Sequence, residues 1–349
     1  MVERRWQEIP GGSAKEGWRL PVLTYRGSSG RPGAYLQAAL HADEQPGVAV
    51  IHALAGLVER AEAEGRLRED VVLVPYANPI GLAQVIDGRH LGRFHLASGI
   101  NFNRAFPLPN GARAGDGQAP APRADLALKA ALLKLAAGAQ VVLDLHCDKD
   151  ACLYVYAHAE FWPSARDLAA RLGAAAVLLW SGPEEGGAAF EEAVTIDRLP
   201  ATAARPFLSS TVELRGRADV DAGLAKRDAE ALYGLLVDRA IVVEAGVGPC
   251  PAWNGPAVRQ EQVVNVPAPA LGALLLEIPV GRRVTKGECL ARILAEPGHA
   301  AGEVKVLAPV DGLLIIRALD RLARPGDTIA TIITDRPAPG SAAGRMLAT

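Results

Sequence analysis

The chain has 349 residues, of which 50% are hydrophobic and 22% are charged. This composition excludes a mainly disordered protein, and the length suits one large domain or two smaller ones. The 37 lysine and arginine residues against 39 aspartate and glutamate residues give a net charge of −2, so no single-signed surface favours nucleic acid as the main partner.

Three features of the sequence bear on where the protein works. The four cysteines form no C-x-x-C pair and no dense disulfide framework, which is typical of a reducing compartment. The first residues, MVERRWQEIPGG, include no apolar stretch of the kind found in secretory signals. No run approaches the ~20 apolar residues that a membrane-spanning helix needs. We therefore expect a soluble, cytoplasmic protein with no membrane partner.

The first two-thirds of the chain alternate apolar, strand-like runs with helix-like segments. Several runs are apolar throughout, which is typical of strands buried on both faces of a sheet. Predicted strands cover residues 34–40, 71–76, 141–146, 153–157, 176–180 and 211–214. Predicted helices cover residues 46–64, 125–137 and 222–243. This alternation predicts an α/β domain over residues 1–250, in which helices cover both faces of the sheet.

The last part of the chain follows a connector rich in proline and glycine, GVGPCPAWNGPAV, after which the long helical patterns end. It contains a weak internal repeat of short strand-like runs. Gly272 matches Gly312 at an offset of 40 residues, and Gly287 matches Gly326 at an offset of 39. Two similar units of this size predict a small all-β barrel or sandwich with quasi-two-fold symmetry over residues 260–336.

This repeat resembles the barrel-sandwich domains that carry lipoyl or biotinyl groups. Those domains attach their cofactor to a lysine in a tight hairpin, usually beside a methionine. This chain has no lysine at the hairpin position, and its two methionines, Met1 and Met346, lie outside the region. We therefore expect a non-carrier appendage with a structural or oligomer-forming role.

A histidine and a glutamate lie where the first predicted strand ends. His41 and Glu44 are three residues apart, just before the first predicted helix. Ligands of open α/β sheets bind at the carboxyl ends of strands, and imidazole and carboxylate are ordinary zinc donors. An isolated H-x-x-E is more typical of a surface loop before a helix than of a metal site, so the motif indicates a metal site only together with further donors.

The sequence Asp144-Leu145-His146 ends another predicted buried strand. Because side chains alternate along a strand, Asp144 and His146 project from the same side. His146 is the candidate third metal ligand and Asp144 the candidate carboxylate that orients its imidazole; the alternative is a polar strand end. Two histidines and one glutamate leave a fourth zinc position for water, as in catalytic zinc sites.

Glu213 ends an otherwise apolar predicted strand, where a carboxylate is costly unless it has a partner or a task. One explanation is an ion pair with Arg215, two residues further on. The other is general acid–base catalysis, in which Glu213 takes a proton from zinc-bound water and then protonates a leaving nitrogen.

A loop before residue 108 is rich in basic and amide side chains. The adjacent pair Asn103 and Arg104 can clamp a carboxylate through an amide and two parallel guanidinium N–H bonds. An arginine upstream can polarise a scissile carbonyl and stabilise its oxyanion, with Arg93 as the candidate and Arg89 as the alternative. The acidic, glycine-containing stretch at residues 184–187 is expected to be an ordinary surface loop.

The order of these motifs resembles the succinylglutamate desuccinylase/aspartoacylase family, a branch of the zinc-carboxypeptidase-like amidohydrolases. The family pattern is H-x-x-E, N-P-x-G, an arginine, D-x-N-R-x-F-P, D-x-H and a strand-end glutamate. The matching residues in chain order are His41, Glu44, Asn78, Pro79, Gly81, Arg93, Asn103, Arg104, Phe106, Pro107, Asp144, His146 and Glu213. The match spans roughly residues 34–216, and Asn101 stands where the pattern has an acid.

The resemblance implies a zinc-carboxypeptidase-like mixed sheet flanked by helices, with a β-rich C-terminal domain. It also implies an enzyme that hydrolyses the amide bond of a small N-acyl amino acid, with one zinc ion per chain. The implied roles are zinc binding by His41, Glu44 and His146, carboxylate binding by Asn103 and Arg104, and general-base catalysis by Glu213. Two alternatives stay open: a zinc carboxypeptidase acting on peptides, and a non-catalytic metal-binding scaffold that assembles, as a homo-oligomer, through the C-terminal domain.

Overall fold

The structure is a computed structural model that describes residues 2–11, 17–108, 123–182, 187–199 and 207–337. Most of the acidic stretch predicted as a surface loop, residues 184–186, lies outside them. The helices are α1 (Pro46–Ala63), α2 (Pro79–Leu82), α3 (Ala124–Ala136), α4 (Trp162–Leu172), α5 (Phe190–Arg198) and α6 (Ala222–Asp238). Within the described residues, no helix is both long and apolar enough to cross a membrane.

The strands fall into a larger N-terminal group and a smaller C-terminal group. The first group is β1 (Glu3–Pro10), β2 (Gly17–Tyr25), β3 (Pro32–Ala38), β4 (Asp70–Val74), β5 (Val85–Ile86), β6 (Arg89–His90), β7 (Val141–Asp148), β8 (Asp150–Ala151), β9 (Leu153–His158), β10 (Ala176–Trp180), β11 (Leu208–Gly216) and β12 (Ala257–Arg259). The second group is β13 (Val263–Pro267), β14 (Gly272–Leu276), β15 (Arg283–Val284), β16 (Cys289–Leu294), β17 (Glu303–Leu307), β18 (Gly312–Arg317), β19 (Leu322–Ala323) and β20 (Thr328–Ile333).

The centre of the molecule is a nine-stranded sheet in the order β1-β2-β4-β3-β7-β11-β9-β10-β12. The three central strands β3, β7 and β11 are parallel to one another. Strand β9 runs antiparallel to β11, β2 runs antiparallel to β4, and β1 at the edge runs antiparallel to β2. The protein is therefore a mixed α/β fold with a large central sheet and helices.

Two layers of apolar side chains cover the central sheet. On one face, Leu36 and Leu143 belong to a core with α1, α4 and α6. On the other face, Tyr35 and Val142 pack with α3, α5 and Phe102. All eight residues of β7 are buried, which is why its sequence is almost continuously apolar.

Most predicted elements are present within one to three residues of the expected bounds, and one helix differs more. The third predicted helix, residues 222–243, ends at Asp238. The chain turns there because Ala240 adopts a positive φ of 55°, and Val242 then forms a β-bridge with Leu67. The edge hairpin β1-β2 and the helices α4 and α5 are further elements that the apolar pattern did not predict.

The C-terminal strands form two more sheets, in the orders β13-β20-β18-β15 and β17-β16-β14-β19. The sequence repeat is visible in them, since strands β13 to β16 are followed by the similar series β17 to β20. Each sheet takes strands from both repeats, and side chains such as Leu274 and Leu314 fill one shared core. The division of the chain into two domains at about residue 250 stays a prediction.

The C-terminal sheet that contains β18 attaches to the β9-β10-β12 side of the large sheet. Strand β8 pairs with β18, and the Arg317 guanidinium donates to the Asp150 carboxylate over 2.7 Å. Ile315 and Ile316 pack against Tyr154 and Tyr156 of the central sheet. Strand β18 therefore lies next to the short strand β8, which directly follows the strand β7 that carries His146.

Candidate metal centre

The candidate ligands lie at the carboxyl ends of the parallel central strands. Strand β3 stops when Ala39 turns the backbone with a φ of 55°, and His41 and Glu44 then lie on a turn in which Glu44 N–H donates to the His41 carbonyl over 3.0 Å. His146 lies two residues before the end of β7, the neighbouring strand. Because the carboxyl ends of parallel strands meet at one edge, two segments about 100 residues apart in sequence reach the same place.

His41, Glu44 and His146 each offer one ligand atom, and these atoms lie within 4.8 Å of one another. All three residues are buried, at 1%, 1% and 4% exposure. The Glu44 carboxylate lies between the two imidazoles, with Oε1 3.0 Å from Nδ1 of His41 and Oε2 2.9 Å from Nδ1 of His146. Two imidazole nitrogens and a carboxylate converging in this way are a donor set suited to a divalent metal ion such as zinc.

Each imidazole is held through its other nitrogen, Nε2. Asp144 Oδ2 lies 2.9 Å from Nε2 of His146, and Asn101 Oδ1 lies 2.7 Å from Nε2 of His41. Partners of this kind fix the ring orientation and the tautomer of metal-binding histidines. The structure thus brings Asp144 to His146 and Asn101 to His41, and the sequence motifs had indicated no role for Asn101.

Charges in this buried group shift the pKa values strongly. Burial alone would raise the pKa of Glu44, but the adjacent His41 and His146 outweigh burial and hold it well below its usual value. Burial also disfavours protonated His146, yet the Asp144 and Glu44 carboxylates raise its pKa well above the usual value. Burial lowers the pKa of His41, and although the Glu44 carboxylate opposes this shift, the positive charge of Arg93 adds to it. An ionised carboxylate beside imidazoles has the charge that a cation site needs.

Several buried polar atoms near the group have no hydrogen-bond partner within the described part of the chain. They are Asp144 Oδ1, Glu213 Oε2 and Arg93 Nη2. Buried polar groups are nearly always satisfied in folded proteins, so orphaned atoms next to convergent donors indicate a place for a ligand or water. The residues present therefore fit a bound metal ion.

The structure distinguishes the two candidate arginines by their position. Arg93 reaches the donor group, with Nη1 3.1 Å from Glu44 Oε1 and 3.3 Å from His41 Nδ1. Arg89 lies on the short strand β6 and is exposed. Arg93 is brought there by Gly92, whose carbonyl accepts from Ala42 N–H over 3.0 Å. A Cβ on Gly92 would lie 2.6 Å from a backbone nitrogen, so this close approach requires glycine.

Glu213 lies beside His146 in the sheet and is 2% exposed. Burial raises the pKa of its carboxyl well above the usual value, and the nearby Glu44 and Asp148 raise it further. The ion pair with Arg215 that the sequence left open does not form. A register shift after Glu213 and a φ of 63° at Arg215 turn that side chain to Asp228 on α6. Glu213 is thus a buried carboxyl group without a counter-ion from its own strand.

The predicted carboxylate clamp borders the metal-binding group. Asn103 is buried, its Oδ1 accepts from Phe190 N–H over 2.8 Å, and its Nδ2 lies 3.3 Å from His146 Nε2. Arg104 donates from Nη1 to the Asn103 carbonyl over 2.8 Å. The start of α5 therefore fixes Asn103 in place, and a role for either side chain in substrate binding stays a prediction.

Two further groups in the structure support the donors. The Cys147 backbone N–H donates to Glu44 Oε2 over 3.1 Å, so the strand that carries His146 also positions Glu44. Asn78 caps α2 and donates from Nδ2 to the Leu40 carbonyl over 2.8 Å, which anchors the turn before His41. The N-P-x-G motif signalled Asn78 in the sequence, whereas a backbone donor such as Cys147 N–H has no sequence signal.

Comparisons with known proteins agree with this arrangement. The model of the succinylglutamate desuccinylase/aspartoacylase catalytic domain matches residues 31–237, which is more than half of the chain. A comparison with curated proteins finds no match.

Solved structures show the same fold over nearly the whole chain. A succinylglutamate desuccinylase/aspartoacylase family protein from Shewanella amazonensis SB2B is 22% identical with a TM-score of 0.80, and the alignment covers 95% of this chain and 99% of that one. A similar protein from Shewanella frigidimarina NCIMB 400 is 22% identical with a TM-score of 0.79, and the alignment covers 96% of this chain and 97% of that one. The ectoine utilization protein EutE (DoeB) from Ruegeria pomeroyi is 19% identical with a TM-score of 0.71, and the alignment covers 95% of each chain.

The family match covers the segments that carry the whole donor group. Residues 31–237 include the turn with His41 and Glu44, the strand with His146 and the strand with Glu213. The match thus extends over the candidate metal centre as well as the sheet that supports it. The chain belongs to the succinylglutamate desuccinylase/aspartoacylase family, a family of hydrolytic deacylases.

Proposed function

We propose that this protein is a zinc-dependent deacylase that hydrolyses the amide bond of a small N-acyl amino acid, with one zinc ion per chain. The observation that carries the proposal is the convergence of His41, Glu44 and His146 beside the buried carboxyl group of Glu213. Membership in a deacylase family supports the reaction class. The same family membership supports a small-molecule substrate, and a cytoplasmic location and a homo-oligomer stay predictions.

The proposed ligands are His41 and His146 through Nδ1 and Glu44 through its carboxylate. Their geometry supports this assignment, because both Nδ1 atoms lie within 3.0 Å of Glu44 oxygens. A zinc ion held there would act as a Lewis acid that acidifies water and polarises a carbonyl oxygen. Asp144 and Asn101 hold the imidazole rings from behind.

Glu213 is the proposed general base and acid. It accepts a proton from the attacking water and then delivers that proton to the leaving nitrogen of the amide. The raised pKa of its buried carboxyl group suits this double task, because a group that gains and loses a proton in turn works best when its pKa lies near the working pH. Its Oε2, which has no hydrogen-bond partner within the described residues, is the proposed proton-accepting atom.

Arg93 and the Asn103–Arg104 pair are the proposed substrate contacts. Arg93 Nη2 is buried without a hydrogen-bond partner among the described residues, so it has an N–H group to offer the oxyanion of the tetrahedral intermediate. Asn103 and Arg104 would bind the substrate carboxylate and so orient the amide toward the attacking water. The C-terminal residues 260–336 are a proposed barrel-sandwich-like appendage with a structural role.

The test begins with metal content and then measures turnover. The full chain is stripped with a chelator, reloaded with zinc chloride and desalted, beside the His146→Ala variant. We expect about one zinc ion per wild-type chain and loss of that zinc in the variant. A folded wild-type protein that retains no metal would contradict the proposal.

Turnover is then measured on N-acetyl and N-succinyl amino acids and on peptides with a free C-terminus. We expect hydrolysis of one or more N-acyl amino acids, loss of that activity in Glu213→Gln, and normal activity in the matched control Glu230→Gln, whose side chain is exposed on α6. Cleavage of peptides alone would indicate a carboxypeptidase, and zinc binding without any turnover would indicate the scaffold.

A further inference from the structure

Asn101 is the least expected contact of the candidate metal centre. It lies 60 residues from His41 in sequence, and a β-bridge to Phe94 holds its backbone. Its side-chain oxygen Oδ1 has two close nitrogen neighbours: the Asn103 backbone nitrogen at 2.8 Å and His41 Nε2 at 2.7 Å.

These two contacts fix the orientation of the amide. A backbone N–H can only donate, so the Asn101 atom that faces Asn103 N–H must be the oxygen and not the amide nitrogen. The same oxygen faces His41, which therefore must donate from Nε2. A neutral imidazole with its proton on Nε2 has its lone pair on Nδ1, which is then the nitrogen available to bind a cation. In the metal-free protein Arg93 Nη1, 3.3 Å from Nδ1, can donate to this lone pair. Glu44 Oε1, 3.0 Å from Nδ1, is the competing acceptor that favours a proton on Nδ1 when Asn101 is absent.

The two ligand imidazoles consequently have unequal partners. Nε2 of His146 donates to the carboxylate of Asp144, which is fully buried. Nε2 of His41 donates to a neutral amide oxygen. A hydrogen bond to a carboxylate is about twice as strong as one to a neutral acceptor, and it makes the imidazole a better electron donor to a metal.

We propose that Asn101 is the positioning residue of the His41 ligand: it selects Nδ1 as the metal-binding nitrogen and, because it is neutral, leaves His41 the weaker of the two imidazole ligands. This inference rests on the metal site of the proposed function. Its consequence is a zinc affinity below the value that a carboxylate at position 101 would give. The family pattern has an acid at this position, so the substitution by asparagine distinguishes this chain.

The first experiment measures the tautomer of His41 in the metal-free protein. Nitrogen-15 NMR of histidine-labelled full-length chain at pH 8 reports the protonated nitrogen, and the His41 signal is assigned by its loss in His41→Gln. We expect the Nε2–H tautomer in wild type and a mixture of tautomers in Asn101→Ala. An unchanged Nε2–H tautomer in Asn101→Ala, with the fold intact by circular dichroism, would overturn the proposal.

The second experiment measures zinc affinity by competition with a chromogenic chelator at fixed pH. We expect Asn101→Asp to bind zinc about tenfold more tightly than wild type, and Asn101→Ala to bind about 10–100-fold more weakly. Asn254→Asp, which adds the same charge at an exposed position, is the matched control and should leave the affinity unchanged. Equal or weaker binding by a folded Asn101→Asp would overturn the claim that His41 is the weaker ligand.

The two experiments separate this inference from the proposed function. The tautomer measurement needs neither a metal nor a substrate, and the zinc measurement needs no turnover. If no N-acyl amino acid is hydrolysed, the deacylase proposal fails. The tautomer and zinc-affinity measurements still test the role of Asn101 in that case. Conversely, normal turnover with an unchanged tautomer in Asn101→Ala would overturn this inference alone.

Discussion

Glu213 and His146 occupy directly paired positions on the adjacent parallel strands β11 and β7. Paired residues of neighbouring strands project from the same face of a sheet, so the carboxyl group and the imidazole lie side by side. Six consecutive residue pairs, from Leu208 to Glu213, hold this register. The relative position of the proposed base and the proposed metal ligand therefore depends on the most buried part of the sheet and not on a loop.

Replacement of Glu213 by glutamine should abolish most turnover without removing the metal. Glutamine keeps the shape of the side chain but cannot accept a proton, and general-base catalysis contributes typically ~10²–10⁴-fold. Rates and zinc content are measured on the same preparations. Unchanged turnover in Glu213→Gln would remove this residue from the mechanism.

The same variant should change the pH dependence of stability in the metal-free protein. Burial raises the pKa of Glu213 above the unfolded value, so between these two values the native state holds a proton that the unfolded state has lost. Wild-type stability from this group therefore falls as the pH rises from about 4.5 through the native pKa. Glu213→Gln has no carboxyl group at this position and so does not lose stability in this way. The free energy of unfolding of Glu213→Gln minus that of wild type, measured with urea in the presence of a chelator, should therefore increase from pH 5 to pH 8.

Arg93→Ala should lower kcat by roughly 10²–10³-fold, because one preorganised donor to an oxyanion has about that effect. The guanidinium reaches the donor group in the structure, whereas Arg89 is exposed on a hairpin. Arg89→Ala is therefore the matched control and should leave kcat unchanged, because this side chain is exposed and lies outside the donor group. The reverse result would assign the role to Arg89.

Arg104→Ala should raise KM for substrates with a free carboxylate by about 10–100-fold, since hydrogen bonds between charged groups contribute about 1.5–3 kcal/mol. For matched amides in which the carboxylate is replaced by a neutral group, KM should change little. Michaelis constants for both substrate series decide the matter. Equal increases for both would show that Arg104 does not bind the carboxylate.

Lys129 on α3 is an internal charge that should destabilise the fold at neutral pH. Its side chain is 1% exposed, its Nζ lies 5.7 Å from the centre of the Phe106 ring, and within the described residues it has no hydrogen-bond partner. The carboxylate oxygen Oδ2 of Asp125 lies 4.0 Å from Nζ. Burial lowers the pKa of Lys129 to about 8.

Lys129→Met should therefore raise the free energy of unfolding at pH 7 by about 3 kcal/mol, from about 1.4 kcal/mol per pKa unit. The advantage should shrink as the pH rises from 8 to 10.5, because native Lys129 then loses its proton while the unfolded chain keeps it, which stabilises wild type. Urea unfolding at pH 7 and pH 9.5 measures both values. Lys134→Met, on the exposed side of the same helix, is the control.

The apolar pattern of the sequence predicted the strands that are buried in the structure and missed those that are exposed. Strand β7 is buried on both faces, so its residues had to be apolar and the run was visible. Strand β1, with the sequence ERRWQEIP, is an edge strand with mostly exposed side chains, and such a strand needs no apolar pattern. The internal repeat predicted the C-terminal strands because both halves fill one core in the same way.

The sequence by itself determined which polar groups the candidate site contains. They are two histidines and three carboxylates at strand ends, in an order that matches one family. Only the tertiary structure decided which atoms of these residues meet. In the structure Arg93 rather than Arg89 contacts Glu44. Arg215 pairs with Asp228, and Asn101 contacts His41. The physical reason is that a hydrogen bond depends on tenths of an ångström between atoms from distant segments, and strand register and loop packing set these distances.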